Sequence, residues 1–335
     1  PLFHYCCCIA LFQELIREKK PIPEIITDSK EFNKIIKNYL IVQGITVKVT
    51  FVRGSLKRRL KELVRPIYTI FGIPMKQLLL FFTAQLTRSL RKSLPAETLI
   101  LIDTFVMPGY IEKDRYYPGL LEALSEKEKQ RVWFVPHLYG FQPQHFLQVM
   151  KRLRKADRNF ILKDDFLKFR DYWCLWQHML RINQLKIKPS FFYGVDISFL
   201  VREELTSFRA ISSSYAALLN YYFAKRLKDS GIKLKLVIDW FENQNIDRGW
   251  NIGFRHFLPE VETIGYQGVT VSSYFLSYYI TREEKDSKVI PSKVAVIGKG
   301  MVQSPRRFCS DLDVCITPAF RFQHVWQERK HFPSE

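Results

Sequence analysis

The chain has few acidic residues for its size, 33 Asp and Glu against 52 Lys and Arg, which leaves a net charge of +19 over 335 residues. That imbalance excludes an acidic solvating protein and points to an anionic partner: nucleic acid, an anionic membrane or a phosphorylated substrate. Its six cysteines form no framework. Cys6, Cys7 and Cys8 are adjacent, Cys174, Cys309 and Cys315 are scattered, and no CxxC or CxxH spacing occurs, so neither a disulfide scaffold nor a zinc site is expected. GxGxxG, GK[ST], GxSxG and HExxH are all missing, as are internal repeats and low-complexity tracts. The one DxD spacing, Asp311 to Asp313, precedes a strand-like run instead of ending one, and no metal is expected there. No uninterrupted span of ~20 apolar residues is found; the best candidate, Ile67 to Leu86, is broken by Pro74, Lys76 and Gln77.

What is present is the composition of a globular protein, 47% hydrophobic and 25% charged. Apolar runs alternate with helix-length segments. Strands are expected at 24–28, 45–52, 97–103 (ETLILID), 132–135, 160–162, 234–240, 261–264, 293–297 and 314–317. Helices are expected at 2–18, 30–39, 120–129, 144–155, 165–183, 207–230, 246–257 and 323–328. That alternation indicates βαβ units, a mostly parallel sheet and helices on both faces. The length suggests two α/β domains: an N-terminal one over 1–287, and the start of a second, Rossmann-like domain over 288–335 that is too short to be complete. With Pro1 opening directly in an apolar segment, the ends of this chain are not expected to be natural ends.

One basic region stands out. Residues 53–92 carry ten Lys or Arg (53, 57, 58, 59, 61, 65, 76, 88, 91 and 92) and one acid, Glu62, with Leu56, Leu60, Leu63, Val64 and Ile67 at helical spacing. A basic amphipathic helix can lie on an anionic bilayer; a solvated helix face over a core is the plainer alternative.

The stretch Lys233 to Gly268 concentrates the polar chemistry. An apolar strand ends in Glu242, Asn243 and Gln244; a helix follows; Pro259 stops it; and a second strand ends in Gly265, Tyr266, Gln267 and Gly268. Ligands of open α/β sheets bind outside the carboxyl ends of the strands, so the two polar tips are expected to form one site. A carboxylate at 242 suits a general base or a group that holds a sugar hydroxyl, and the amides offer donors and acceptors to a polyhydroxylated ligand. A helix N-terminal acid would look the same. Asp103 ends the ETLILID strand, and Asp114 and Arg115 lie in the shaped loop after it. Gly298, Lys299 and Gly300 follow a strand and could cradle a phosphate. His137 and His256 are weighed as bases, with a structural role preferred for each.

The segment DWFENQNIDRGWNIGFRHFLPEVETIGYQG, with Pro291 to Gly298 after it, resembles bacterial surface-carbohydrate (capsule or lipopolysaccharide O-antigen) biosynthesis proteins, glycosyltransferases of the GT-B type. The similarity rests on Glu242, Asn243, Gln244, Ile264, Gly265, Tyr266, Gln267 and Gly268, with Gly268 standing where many relatives have His. The resemblance implies two facing Rossmann domains and metal-independent sugar transfer from a nucleotide-sugar, without a further cofactor, to a glycan or lipid-linked glycan. It implies Glu242 and Asp103 as catalytic residues, Asn243, Gln244, Asp114, Arg115 and residues 265–268 as substrate contacts, and Gly298, Lys299 and Gly300 at the donor diphosphate. A cytoplasmic location, peripheral on the anionic inner membrane through the basic region, goes with it. The rival expectations are a degenerate, membrane-associated GT-B-like binding protein and, ranked last, a basic nucleic-acid-binding α/β protein.

Overall fold

A computed structural model of the chain describes residues 2–52, 64–65, 67–270, 272 and 274–328. Part of the basic helical region expected over 53–92, residues 53–63 and 66, with Lys57, Arg58, Arg59 and Lys61, lies outside the described residues. The chain folds as two compact units, one of residues 1–74 and 174–212, the other of 75–173 and 213–335.

The first unit is built on a βαβ element. Strands β1 (Glu24–Thr27) and β2 (Lys48–Phe51) pair in parallel, joined through helix α1 (Lys30–Val42). Ser29 caps α1 by accepting the Phe32 N–H at 3.1 Å. The core joins Ile25, Phe32, Ile36 and Leu40 to Ile9 of helix Leu2–Arg17 and to Leu200 of helix Ser198–Leu205.

The second unit carries a six-stranded, all-parallel sheet flanked by helices. Its strands are β3 (Leu99–Val106), β4 (Val132–Leu138), β5 (Leu234–Trp240), β6 (Glu262–Gln267), β7 (Lys293–Val296) and β8 (Val314–Ile316). The spatial order is β8-β7-β6-β5-β3-β4. The chain steps from β3 to β4, returns past β3 to β5, and continues outward to β8. The order therefore reverses between β3 and β5, the topological switch point where doubly wound sheets bind ligands.

Strand alternation sorts the side chains by face. Ile102, Val106, Phe134, Trp240 and Tyr266 share one core with Leu80 and Ala84 of helix α2 (Ile73–Leu86) and with Val149, Met150 and Leu153 of helix α3 (Phe146–Lys155). On the opposite face, helix α6 (Asn245–Phe257) packs against helix α5 (Phe208–Asp229). Their backbones approach so closely that a Cβ on Gly249 would sit 2.1 Å from the Ala217 carbonyl oxygen. Phe223 of α5 meets Trp250 and Phe254 of α6.

Several expectations need correcting. The second Rossmann-like domain expected from residue 288 does not begin there: β7 pairs with β6, and β8 with β7, so 288–328 completes the same sheet. The helix expected over 165–183 is two, α4 (Phe169–Trp176) and a shorter one, His178–Gln184. The helix expected over 120–129 starts only at Glu126, where Ser125 and Glu128 form a capping box. Residues 160–162 contribute one bridge, Phe160 to Phe134, in place of a strand.

Candidate active site at the sheet's switch point

The carboxyl ends of β3 and β5 carry two aspartates on one level. Ile102 pairs with Ile238, which sets Asp103 beside Asp239 on adjacent strands, about 4.8 Å apart in the pairing direction. Both are buried on the face that α5 and α6 cover. His137, from the end of β4, extends the row: its Nε2 lies 2.5 Å from Asp103 Oδ1. Its Nδ1 lies 2.9 Å from Lys163 Nζ, which also donates to Asn220 Oδ1 at 2.7 Å. Lys163 Nζ approaches both ring nitrogens, Nδ1 at 2.9 Å and Nε2 at 3.3 Å. Burial, helped by the Lys163 ammonium, holds the His137 pKa below the usual histidine range, against the pull of Asp103. Burial also brings Lys163 down to about 8.

Helix α6 adds the other half of the cluster. Asp247, in its first turn, accepts the backbone N–H groups of Glu242 and Gln244, each at 2.9 Å. Asn251, one turn later, donates to Asp239 Oδ2 at 2.7 Å and to the Asp247 carbonyl oxygen at 2.8 Å. Burial, then Asp247 and Asp103, push the Asp239 carboxyl well above the carboxylate range. Burial raises Asp247 as well. Two carboxylates this close and this dry do not ionise together. Of the two, Asp239 holds its proton more tightly, because Asp247 sits at a helix N-terminus with two N–H donors that favour its charged form. Asp239 Oδ1, Asn251 Oδ1 and Gln267 Nε2 are buried without a hydrogen-bond partner among the described residues, a concentration that native interiors rarely show.

Above this layer Glu242 stands half-buried just past β5. Trp240 Nε1 donates to its Oε1 at 2.9 Å and Gln244 Nε2 to its Oε2 at 2.7 Å. Tyr116 meets the Trp240 ring edge-on at 4.5 Å. Arg115, Arg321, Glu242 and Asp114 all lie within electrostatic reach of the Tyr116 hydroxyl, whose pKa burial raises. Tyr278 likewise feels Glu242, Asp247 and Arg321. Glu242 and Arg321 thus act electrostatically on both tyrosines, the half-buried Tyr116 and the buried Tyr278.

The expected site residues separate into two groups. Glu242 and Gln244 are joined just past β5, while Arg115, in the loop after β3, lies over the Tyr110 ring at 5.5 Å. Asp103 is buried on the other face of the sheet, turned toward His137. Asn243 adopts a left-handed backbone (φ 55°), is buried, and donates to Glu284 at 3.2 Å, so it fixes the turn. Gly265 is inside β6, where a Cβ would strike Pro291 and Phe241, and its role is packing. The buried Tyr266 hydroxyl donates to the Pro318 carbonyl oxygen at 3.0 Å and accepts the Phe320 N–H at 3.2 Å, which leaves it tied to the β8 loop. Gln267 is buried at the end of β6, and Gly268 makes room for the Trp240 ring. Asp114 accepts the N–H groups of Tyr116 and Tyr117 at 2.7 and 2.9 Å and pairs with Arg158, which fixes the loop. Gly298, with φ 104°, opens the turn after β7, and Lys299 and Gly300 are exposed beyond it. They do not face β5 across a domain boundary; they lie along the same carboxyl edge. A cleft of about 550 Å³ there is lined by Pro118, Gly119, Ile297, Gly298, Pro318 and Phe320.

Among the described residues no group of three or more His, Cys, Asp or Glu is arranged to hold a metal ion. Asp311 of the DxD spacing is paired with Arg282 and Lys285 at 2.7 and 2.6 Å. No family model, curated protein or solved structure matches the chain.

Proposed function

We propose that the chain is a metal-independent glycosyltransferase whose site is the carboxyl edge at the switch point. It would move a sugar from a nucleotide-sugar to a hydroxyl of a surface polysaccharide or lipopolysaccharide. The observation that carries the reading is Glu242, a half-buried carboxylate held at both oxygens, by Trp240 and Gln244, and within electrostatic reach of Tyr116, over whose ring the Arg321 guanidinium lies at 5.8 Å. Glu242 takes the proton of the acceptor hydroxyl as its oxygen attacks the anomeric carbon. The bond from that carbon to the phosphate oxygen breaks, and the nucleoside diphosphate leaves with the electron pair. Arg115 and Arg321 stabilise the charge that develops on it, with Lys299 further along the same edge. Tyr116, half-buried against the Trp240 ring, offers a flat surface to the sugar. Asp103, His137 and Asp239 act from below, as positioning groups.

The experiment is a thermal-shift screen against UDP-, GDP-, CMP- and TDP-sugars, followed by turnover with acceptor. A donor at ~100 times its dissociation constant adds about 2.7 kcal/mol of stability. Stabilisation with turnover supports the proposal. Stabilisation without turnover in any acceptor assigns a degenerate binding protein instead, and no stabilisation by any donor rejects the site.

A further inference from the structure

Helix α2 covers the core with one side and leaves the other bare. Leu78, Thr83 and Ala84 are buried, while Met75, Leu79, Phe82 and Leu86 are exposed at i, i+4, i+7 and i+11, one stripe of an α-helix. Helix α4 lies beside it: the Phe81 and Tyr172 rings meet tilted, 5.1 Å between ring centres, and Gln85 Nε2 donates to the Asp164 carbonyl oxygen at 2.8 Å. From α4 come two more exposed rings, Phe169 and Trp173, at i and i+4.

The charges around these rings are sorted by sign. Arg88, Lys168 and Arg170 are exposed. Arg88 and Lys168 line one cleft of about 540 Å³ together with Phe81 and Arg91. The acids of the same segment all turn inward. Asp164 accepts the Tyr172 hydroxyl at 2.5 Å, Asp165 pairs with Arg154 at 2.5 Å, and Asp171 pairs with Arg226 at 2.5 Å. Helix α2 has no acidic residue. The surface is therefore apolar and aromatic with an exposed fringe of cations.

We infer that this face docks on an anionic bilayer surface, with α2 lying in the headgroup plane. Aromatic rings beside Arg and Lys are the composition of a membrane interface, and a fringe of cations complements anionic headgroups as it would not complement a neutral apolar partner. Tyr68–Leu86 is long and apolar enough to cross a bilayer, but 33% of its most apolar window is buried within the fold. Leu78, Thr83 and Ala84 would have to leave that packing for the helix to span, so it lies on the membrane and not through it. Ser230 and Ile232, just ahead of β5, line the same cleft, which puts the patch toward the amino edge of the sheet. Docking there leaves the carboxyl edge open and does not depend on the chemistry proposed for it.

The test is flotation with vesicles of phosphatidylcholine, with and without phosphatidylglycerol, across a salt series. The protein is expected to float only with anionic vesicles, and less as salt shortens the Debye length from ~10 Å at ~0.1 M to ~3 Å at ~1 M. Arg88→Gln with Arg170→Gln is expected to weaken partition about 25-fold, at about five-fold per cation. Phe82→Ser with Phe169→Ser is expected to weaken it at every salt concentration; all four side chains are exposed, and unchanged thermal melts confirm folding. Three results overturn the proposal: no flotation at low salt, flotation that both double variants leave unchanged, or retention in membranes after alkaline carbonate, which would mean a spanning helix.

Discussion

Asn251 donates to Asp239 Oδ2 at 2.7 Å, and both groups are sealed between the sheet and α6. The bond ties the helix to the end of β5; it favours the charged carboxylate, but burial and the neighbouring Asp247 and Asp103 outweigh it and favour the proton on Asp239. Asp247, raised in the same way, lies close enough that the two titrate as a pair.

The pair gives stability a pH dependence of known sign. Burial and the like charge of neighbouring carboxylates raise the folded-state pKa values above those of the unfolded chain. The folded protein then keeps a proton that the unfolded chain releases. The contribution is fully present below about pH 4, where both states are protonated, and is lost as pH rises through the raised folded-state values, about 8 for Asp247 and well above the carboxylate range for Asp239. Asp239→Asn removes one member of the pair, so its stability relative to the parent protein should climb across that window. The gain is on the order of 1.4 kcal/mol for each tenfold change in proton affinity. His137 titrates with the opposite sign but is common to both proteins and drops out of the difference. Urea midpoints measured at several pH values check this; a difference that stays flat with pH would show that Asp239 is not raised.

Much of this layout is legible in the residues. LILID and LVID each set one aspartate at the end of an apolar run, and the parallel sheet follows from the alternation of strands and helices. Asp247 and Asn251 are four apart, on one face of α6, a spacing visible in the sequence once Asp239 is recognised as their target. Strand order is not legible, because nothing local says that β5 returns past β3; that reversal makes Asp103 and Asp239 neighbours. Lys163 and His137 are single residues without a local pattern, joined only by the fold. Tyr266 reads as a polar tip, yet Pro318 and Phe320, more than fifty residues on, occupy its hydroxyl. The strands after 288 read as a new domain because an apolar strand at a sheet edge looks the same whether it begins a sheet or finishes one.

The contact between α5 and α6 depends on glycine. A methyl group on Gly249 would enter the Ala217 backbone, which cannot move aside as a side-chain tip can. Gly249→Ala is expected to destabilise by about 1–3 kcal/mol or more, as overpacking does. Gly300, where an added Cβ meets nothing within 4 Å, is the control and should tolerate alanine with little change. Equal denaturation midpoints for the two variants would contradict the packing.

Arg226 on α5 is buried against Asp171 on α4, with contacts of 2.9 and 2.5 Å. The Asp171 pair raises the Arg226 pKa above the usual range. Asp171→Ala strands the guanidinium with only the half-exposed Asp229, and should cost about 3–5 kcal/mol. Replacing both residues by apolar ones of similar volume should recover much of that loss. A double variant as unstable as Asp171→Ala alone would place the cost in packing and not in the unpaired charge.

Glu242→Gln separates chemistry from binding. The amide keeps an acceptor for Trp240 Nε1 but carries no negative charge, and it trades the Gln244 contact for a donor-donor clash that Gln244, being exposed, can relieve by turning to solvent. A carboxylate acting as base matters mainly as the proton moves in the transition state. Turnover should therefore fall by about 10²–10⁴-fold, while donor affinity, measured by calorimetry, changes little. A role confined to holding the ligand gives the reverse pattern, weaker binding with kcat kept. Arg321→Gln should weaken donor affinity and lower turnover, because the guanidinium serves the diphosphate both bound and leaving. Full turnover in Glu242→Gln would reject the carboxylate as the base, and with it the one observation on which sugar transfer at this edge rests.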